Sequence, residues 1–351
     1  FGEAEAVTVE DYIRNSAGQD GLSVQESALL NLNRYAGRVA DNPACQKNTL
    51  SDPSIKTDRE LGFFDCIHAP CTDACPANQD IPEYMAHTAS GSFTEAFETI
   101  FRTNPFPSVT GMICDHPCRE KCIRINYDEP LRIRDIKRFI AESHPEKLIS
   151  EQIKQSGKKV AVIGAGPAGL SCAWYLRQSG CEVDIYEQKS IAGGMVSTAI
   201  PSFRLTAEAI EHDIQRILSS GIQLLDNYTV DEGNFDAIRK SHDAVFLAAG
   251  AQVPARLNIE GIDSGGVLDP LKFLANVKDG IPTGIGNHVV IIGGGNTAMD
   301  TARTAFRLTG GDGKVTILYR RSRKEMPADK GEIAAAIEEG IANTIWSPLH
   351  G

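Results

Sequence analysis

The pattern of apolar and polar positions changes near residue 145. Before that point, apolar residues recur at helical spacing in ESALLNLNRYAGRVA (26–40) and GSFTEAFETIFRTN (91–104), and no stretch alternates in the manner of a strand. Loops rich in cysteine and proline separate these stretches. The pattern predicts a helical domain over residues 1–145 that cannot build a large core of its own.

After residue 146 the chain alternates strands with helices. The segment KVAVIGAGPAGLSCAWYLRQSGCEVDIYEQ (159–188) is typical of a strand, a glycine-rich turn, a helix and a second strand. The same order recurs about 130 residues later, in HVVIIGGGNTAMDTARTAFRLTGGDGKVTILYRRS (288–322). This repetition predicts two α/β domains, over residues 146–280 and 281–351.

Composition narrows the class of protein. The chain has 351 residues and a formal net charge of −11, which argues against a nucleic-acid partner. No apolar run is long enough for a transmembrane helix, and the first residues lack the pattern of a signal peptide. We therefore expect a cytoplasmic location. Because the chain begins at Phe1 and ends within the second α/β unit, we also expect a piece of a longer polypeptide.

Most of the nine cysteines of the chain lie in the predicted helical domain. Seven lie within the first 122 residues, and CIHAPCTDACP (66–76) holds three of them. In a reducing compartment, clustered cysteines bind metal more often than they form disulfides. Zinc would favour C-x₂-C pairs, which are absent, whereas the proline after Cys75 is typical of ferredoxin-type sequences. The pattern favours an iron–sulfur site, with Cys172 and Cys181 interpreted as small buried residues.

The first glycine-rich turn, GAGPAG (164–169), has the spacing of a dinucleotide-binding loop. Gly164 permits the tight turn, Gly166 lets a pyrophosphate approach the backbone, and Gly169 lets the helix pack on the strand. Glu187 ends the next strand, at the position where a carboxylate accepts hydrogen bonds from ribose hydroxyls. With these elements in register, a dinucleotide is favoured over a purely structural turn.

The second glycine-rich turn, GGGNTA (293–298), is followed by a strand that ends in basic residues. Arg320 and Arg321 occupy the position where the first unit carries an acidic residue. Guanidinium groups bind a 2′-phosphate through charge-assisted hydrogen bonds, whereas a carboxylate there would repel it. This unit therefore predicts NADPH rather than NADH, and the alternative interpretation is a solvated basic turn.

The order of these motifs resembles the glutamate synthase small-subunit family. The matching segments are CxxxxCxxxCP, GMICDHPCREKC, GAGPAG, GGMVSTAIPSFRL, LAAGA, GGGNTAMD and YRRSRKEMPA. Relatives include the N-terminal half of dihydropyrimidine dehydrogenase and the large subunit of the NADH-dependent ferredoxin:NADP oxidoreductase; the chain is most similar to multidomain selenate reductase flavoproteins. The resemblance implies an α-helical iron–sulfur domain followed by two Rossmann-like domains, for FAD and then NADPH, with the C-terminal return of the FAD domain truncated.

The resemblance also assigns cofactor-binding residues by position. Those implied for FAD are Ile113, Gly164, Ala165, Gly166, Pro167, Ala168, Glu187, Gly194, Met195 and Arg204. Those implied for NADPH are Gly294, Gly295, Asn296, Thr297, Arg320 and Arg321.

The same resemblance divides the cysteines between two 4Fe–4S clusters. The first set is Cys66, Cys71 and Cys122, and the second is Cys75, Cys114 and Cys118. Each set lacks one ligand, because the remaining family positions fall at Phe63 and Lys137, and a protonated lysine cannot coordinate iron. Cys45 is the expected replacement for one ligand, and His68 and His116 are alternatives inside the motifs.

The function implied is an electron-transfer oxidoreductase module. Electrons would pass between NADPH, FAD and the clusters toward an acceptor on another domain or subunit, and no catalytic acid or base is expected. The alternative is a non-catalytic electron-relay or assembly module of a larger reductase complex, against which Arg320 and Arg321 argue. A disulfide-type oxidoreductase would need a redox-active cysteine pair after GAGPAG, but Cys172 and Cys181 fall on different predicted elements.

Overall fold

The computed structural model describes most of the chain. The described residues are 33–34, 36–37, 69–143, 154–253, 257–310 and 313–345. Of the predicted metal ligands, Cys45 and Cys66 lie outside this part, as do Phe63 and His68. No helix in the described part is long and apolar enough to cross a membrane.

The described N-terminal region is helical, as predicted. Its helices are α1 (Pro70–Asp73), α2 (Ile81–Ala89), α3 (Phe93–Thr103), α4 (Pro107–Ile113), α5 (Pro117–Glu120) and α6 (Ile133–Ser143). In α3, Phe97, Ile100 and Phe101 recur at helical spacing and are buried. Helix α6 buries Ile133, Lys137 and Ile140 along one stripe, so a lysine lies on its apolar face.

The first parallel sheet has four strands in the order β3-β2-β1-β4. Its strands are β1 (Lys159–Ile163), β2 (Glu182–Tyr186), β3 (Gln223–Leu225) and β4 (Ala244–Leu247). The accompanying helices are α7 (Pro167–Gln178), α8 (Met195–Thr198), α9 (Ala207–Leu218) and α10 (Phe235–Ser241). In the central strand β1, Val160 pairs with Val183 of β2 and Ala244 of β4. The apolar strand followed by a helix produces the parallel crossover that the sequence predicts.

The second parallel sheet has three strands in the order β5-β6-β7. Its elements are α11 (Pro270–Lys278), β5 (His288–Ile292), α12 (Asn296–Leu308), β6 (Lys314–Tyr319), α13 (Lys330–Glu338) and β7 (Ala342–Ile345). Val290 of β5 pairs with Thr316 of β6, which pairs with Ala342 of β7. The glycine-rich turns thus follow the first strand of each sheet.

The described residues form two hydrophobic cores. The first joins the helical region to the first sheet, with Phe97 and Ile140 in the same cluster as Leu170 and Ile185. The second surrounds Met299 and Ile317 of the other sheet. Helix α11 precedes residue 281 in the chain but packs in the second core through Phe273 and Leu274. The domain limits 1–145, 146–280 and 281–351 stay predictions.

Candidate functional site

The first glycine-rich turn, which we call the first cradle (164–169), brings three pieces of backbone into contact. Gly164 has φ +106°, and a Cβ built there would lie 2.4 Å from the Ala248 carbonyl oxygen after β4. A Cβ on Gly169 would lie 1.9 Å from the Gly164 carbonyl oxygen. Any other residue at either position would push the helix or strand away. These two glycines are therefore required by the protein itself.

Glu187 lies at the first cradle, where the sequence predicts it. Its carboxylate is 7% exposed and accepts a hydrogen bond from the Ala165 backbone N–H at 2.8 Å. The Gly193 N–H donates to the Ala165 carbonyl at 2.7 Å, so the loop before α8 is attached to the same turn. The structure thus brings Glu187, Ala165 and the 193–194 loop together around the beginning of α7.

Several of the other residues assigned to FAD lie in the first cradle or beside it. Gly166 and Pro167 begin α7, and a Cβ on Gly194 would lie 2.9 Å from the Gly166 Cα. Ala168 is exposed and Met195, the first residue of α8, is half-buried. Ile113, which is also assigned to FAD, is the last residue of α4 and packs against the first core.

Arg204 is engaged between the two α/β units. Its Nη1 lies 2.9 Å from both carboxylate oxygens of Asp300 on α12, and its Nε lies 3.1 Å from Glu332 Oε1 on α13. The Arg204 side chain is only 8% exposed. The structure therefore uses this guanidinium to join the units, and its contact with FAD stays a prediction. No pattern in the sequence identifies Asp300, which is 96 residues away.

The second glycine-rich turn, the second cradle (293–298), has one glycine that packs against protein and one that does not. A Cβ on Gly294 would lie 2.7 Å from the Tyr319 ring, whereas a Cβ on Gly295 would meet no protein atom within 4 Å. Gly295 precedes α12, whose free N–H groups and positive end favour an anion. The space beside Gly295 therefore fits the close approach of a phosphate.

Asn296 connects the second cradle to the cysteine-rich loop and to the segment just before α13. Its Nδ2 donates to Asp115 Oδ1 at 3.1 Å, and its Oδ1 accepts from the Asp329 N–H at 2.8 Å. Thr297, the other assigned residue of this turn, is exposed. The contacts of Asn296 to Asp115 and Asp329 have no signature in the sequence, because they join segments far apart in the chain.

The two arginines after β6 are exposed to solvent. Arg320 makes no hydrogen bond or ion pair through its side chain within the described part of the chain, and Arg321 has a favourable charge interaction with Glu325. The turn that carries them is ordered by Ser322, whose N–H and hydroxyl both donate to Glu325, at 3.0 and 2.7 Å. Two guanidinium groups presented on a fixed turn at a strand end fit a 2′-phosphate.

The five described thiols of the helical region influence one another's pKa values or that of a buried neighbour. The pKa of Cys118 is raised to about 11, first by burial and then by neighbouring Cys114 and Cys75. Burial also raises the pKa of Cys71, and Cys122 adds to that effect. Because charge interactions of this kind require proximity, Cys75 and Cys114 lie near Cys118, and Cys71 lies near Cys122. The family resemblance assigns Cys75, Cys114 and Cys118 to one cluster and Cys71 and Cys122 to the other, and this assignment stays a prediction.

Lys137 and Tyr84 are buried beside the second set of thiols. Lys137 is 5% exposed; burial lowers its pKa, while Cys114, Cys75 and Cys118 oppose that effect. Tyr84 is 1% exposed; burial raises its pKa, and Cys118, Cys75, Cys71 and Cys114 add to that effect. Among the residues that the structure describes, no three His, Cys, Asp or Glu side chains converge on a single-ion site. A donor set of thiols beside a buried cation fits a larger, thiolate-rich group.

Comparison with protein families identifies the class of protein that this arrangement defines. The family model described as pyridine nucleotide-disulphide oxidoreductase matches residues 158–344, and the chain belongs to this family. A second model, dihydropyrimidine dehydrogenase domain II with a 4Fe–4S cluster, matches residues 55–149. The two matches together cover the cysteines from Cys66 to Cys122 and both cradles. They confirm an oxidoreductase with an iron–sulfur domain.

Curated relatives confirm the predicted resemblance. NADPH-Fe(3+) oxidoreductase subunit beta of Geobacter sulfurreducens is 40% identical over 288 residues, 80% of this chain and 43% of that protein. NADP(+)-dependent formate dehydrogenase subunit beta of Moorella thermoacetica is 38% identical, over 97% of this chain and 51% of that protein. The glutamate synthase [NADPH] small chain of Escherichia coli is 34% identical, over 79% and 62%. The chain thus spans less than two thirds of each; the resemblance to selenate reductase flavoproteins stays a prediction.

Proposed function

We propose that this chain is an electron-transfer module that passes electrons between NADPH, FAD and 4Fe–4S clusters, toward an acceptor on another domain or subunit. The observation that carries this proposal is the shared first core, which contains both Cys118 of the helical region and Ala165 of the first cradle. A common rigid core supports a fixed distance between a group bound by the thiols and one bound by the cradle.

In this proposal FAD belongs to the first cradle and NADPH to the second, each on a Rossmann-like domain. The required glycines Gly164 and Gly169 and the position of Glu187 support a dinucleotide on the first. The room beside Gly295 and the exposed Arg320 support a 2′-phosphorylated nucleotide on the second. When bound, these groups supply the redox chemistry, and the protein supplies their binding and orientation.

We also propose two 4Fe–4S clusters, one on each set of thiols. Cys71 and Cys122, together with Cys66, would hold the first, and Cys75, Cys114 and Cys118 the second, with Cys45 completing one of them. A protonated Lys137 would lie beside the second set without coordinating iron, because a protonated amine has no lone pair for the metal. A reducing, cytoplasmic location accords with ligands that must be thiolates.

The names of the relatives support a partner for this module. Three of them are named as a subunit beta or a small chain, which are parts of larger assemblies. We propose that the acceptor lies on another domain or subunit, as in a larger reductase. The exposed arginines at the second cradle favour active use of NADPH over the alternative of a purely structural relay.

The cofactor content of anaerobically purified full-length protein tests this proposal. We expect flavin, iron and sulfide together, with about eight iron atoms per chain for two clusters. Cys118→Ser should lose about half of the iron, because it removes a ligand of one cluster only. Cys172→Ser is the matched control, since Cys172 lies on α7 outside both sets, and it should keep all the iron. Equal iron in the two variants would contradict the ligand assignment.

A further inference from the structure

The second cradle is hydrogen-bonded directly to the cysteine-rich loop. Asp115, which accepts from the Asn296 amide at 3.1 Å, immediately follows Cys114 in the chain. Asn296 is the first residue of α12, at the end of the helix that faces the cradle. A single hydrogen bond therefore connects Asp115, the residue next to Cys114, with Asn296, the first residue of the helix that follows the second cradle.

The loop that carries Asp115 is tightly restrained. His116 adopts a left-handed backbone conformation with φ +39°, and its N–H donates to Cys114 Sγ at 3.3 Å. The Cys114 carbonyl accepts from Arg134 Nη1 at 2.8 Å. A non-glycine residue in this conformation persists only where its surroundings fix it. A force on Asp115 is therefore transmitted to Cys114 rather than absorbed by the loop.

A nucleotide bound at the second cradle would interact with the charged groups around Asn296. Asp115 contacts Asn296 through its carboxylate, whereas Asp329 contacts it through its backbone N–H; the Asp329 Oδ2 lies 4.0 Å from His116 Nε2 on the loop of Asp115. A pyrophosphate at the beginning of α12 would place negative charge near the Asp115 carboxylate. Like charges at short range repel, so an occupant of the cradle must shift or strain the contact of Asn296 with Asp115.

We propose that Asp115 is a positioning residue that couples nucleotide binding at the second cradle to the oxidation state of the iron–sulfur site. The inference rests on the proposed function, because it requires a nucleotide on the cradle and a cluster on the thiols. Reduction adds negative charge beside Cys114 and pushes the carboxylate of Asp115 toward the cradle. The nucleotide then binds more weakly, and by linkage its binding makes the site harder to reduce.

The coupling is measured with 2′-phospho-ADP-ribose, which keeps the phosphates of NADPH but has no nicotinamide to react. Its dissociation constant is determined with oxidised and with dithionite-reduced full-length protein. We expect the wild type to bind about three- to tenfold more weakly when reduced, which is the range of one hydrogen bond lost or strained. Asp115→Asn removes the charge at nearly constant shape and should bring this ratio close to one.

Glu120→Gln is the matched control. Glu120 ends α5, and its ion pair with Lys330 also joins the cysteine-rich region to the second α/β unit, but it does not contact Asn296. This variant should keep the wild-type ratio. Equal affinities in the two oxidation states of the wild type, or an unchanged ratio in Asp115→Asn, would overturn the coupling while leaving the proposed function intact. Failure of the wild type to bind the probe in either state would overturn both.

A reciprocal measurement on the wild type does not depend on any variant folding. Saturating 2′-phospho-ADP-ribose should lower the midpoint potential of the cluster by the amount that corresponds to the ratio of the two dissociation constants. A tenfold ratio corresponds to about 59 mV for one electron. An EPR-monitored redox titration with and without the probe reports this shift. Identical potentials in the two titrations would overturn the coupling.

Discussion

The buried carboxylate of Asp213 holds α4 against the first α/β unit, and its removal provides a quantitative test of this joint. Asp213 lies on α9 and has no exposed surface. It accepts hydrogen bonds from the backbone N–H groups of Ser108 and Val109, at 3.2 and 2.8 Å, in the first turn of α4. Helix α4 has no side-chain cap of its own at Phe106. Asp213 therefore acts as its cap from a distant part of the chain.

The expected loss in the free energy of unfolding follows from the hydrogen-bonding groups that the substitution leaves without partners. Asp213→Ala leaves two buried N–H donors unpaired, at about 1–3 kcal/mol each. It also removes the ion pair with Arg216, whose Nη1 lies 3.0 Å from Oδ1, although that guanidinium keeps Ser108 Oγ at 3.3 Å. We expect a loss of about 3 kcal/mol or more in the free energy of unfolding. Asp213→Asn keeps one acceptor and should lose about half as much.

Urea unfolding followed by circular dichroism measures this loss. With a slope of about 1–3 kcal/mol per molar urea, the midpoint of Asp213→Ala should fall by about 1 M or more. Glu211→Ala is the matched control, because Glu211 is exposed on the same helix and its side chain accepts a hydrogen bond from neighbouring Gln215 on that helix. A midpoint for Asp213→Ala equal to that of Glu211→Ala would refute the capping role.

Three further predictions concern the cofactor sites. Charge reversal of Arg320 and Arg321 to Glu should weaken NADPH binding at least tenfold more than NADH binding in equilibrium titrations, and equal losses would contradict the 2′-phosphate assignment. Gly295→Ala should keep the free energy of unfolding within about 0.5 kcal/mol of wild type, because the added Cβ would meet no atom of the described residues within 4 Å. The same variant should lower nucleotide affinity by tenfold or more, and unchanged affinity would place the phosphate elsewhere. Lys137→Met should lower the midpoint potential of the adjacent cluster by on the order of 50 mV, because about 1 kcal/mol of charge attraction is lost. Lys121→Met, at an exposed position, should leave the potential unchanged, and identical potentials in the two variants would contradict the placement of Lys137.

Local patterns were sufficient to predict the elements that form the cradles. The apolar run before Gly164 and the helix after it are set by residues close in the chain, as are β5 and α12 around Gly293. The sequence also groups the cysteines, and Cys118 does lie near Cys75 and Cys114, whereas their division between two clusters stays a prediction. Periodicity, glycine spacing and family order carry this information because each depends on neighbours in sequence.

Contacts between distant segments were not predictable in the same way. Arg204 was expected at FAD, but its guanidinium is bound by Asp300 and Glu332 on the other unit, and the sequence contains no pattern that links them. The cap provided by Asp213 to α4 joins positions more than 100 residues apart. Such partners depend on how the two sheets and the helical region pack, and a buried carboxylate has the same local sequence as an exposed one.

The central claim is that electrons entering from NADPH reach the thiol-bound clusters, and EPR spectroscopy tests it most directly. Full-length protein is reduced anaerobically with NADPH, frozen, and compared with a sample reduced by dithionite. The account predicts that NADPH bleaches the flavin absorption and produces at least one of the reduced-cluster signals seen with dithionite. Flavin bleaching without any cluster signal, in protein whose clusters are reduced by dithionite at a potential within reach of NADPH, would contradict the electron-transfer function.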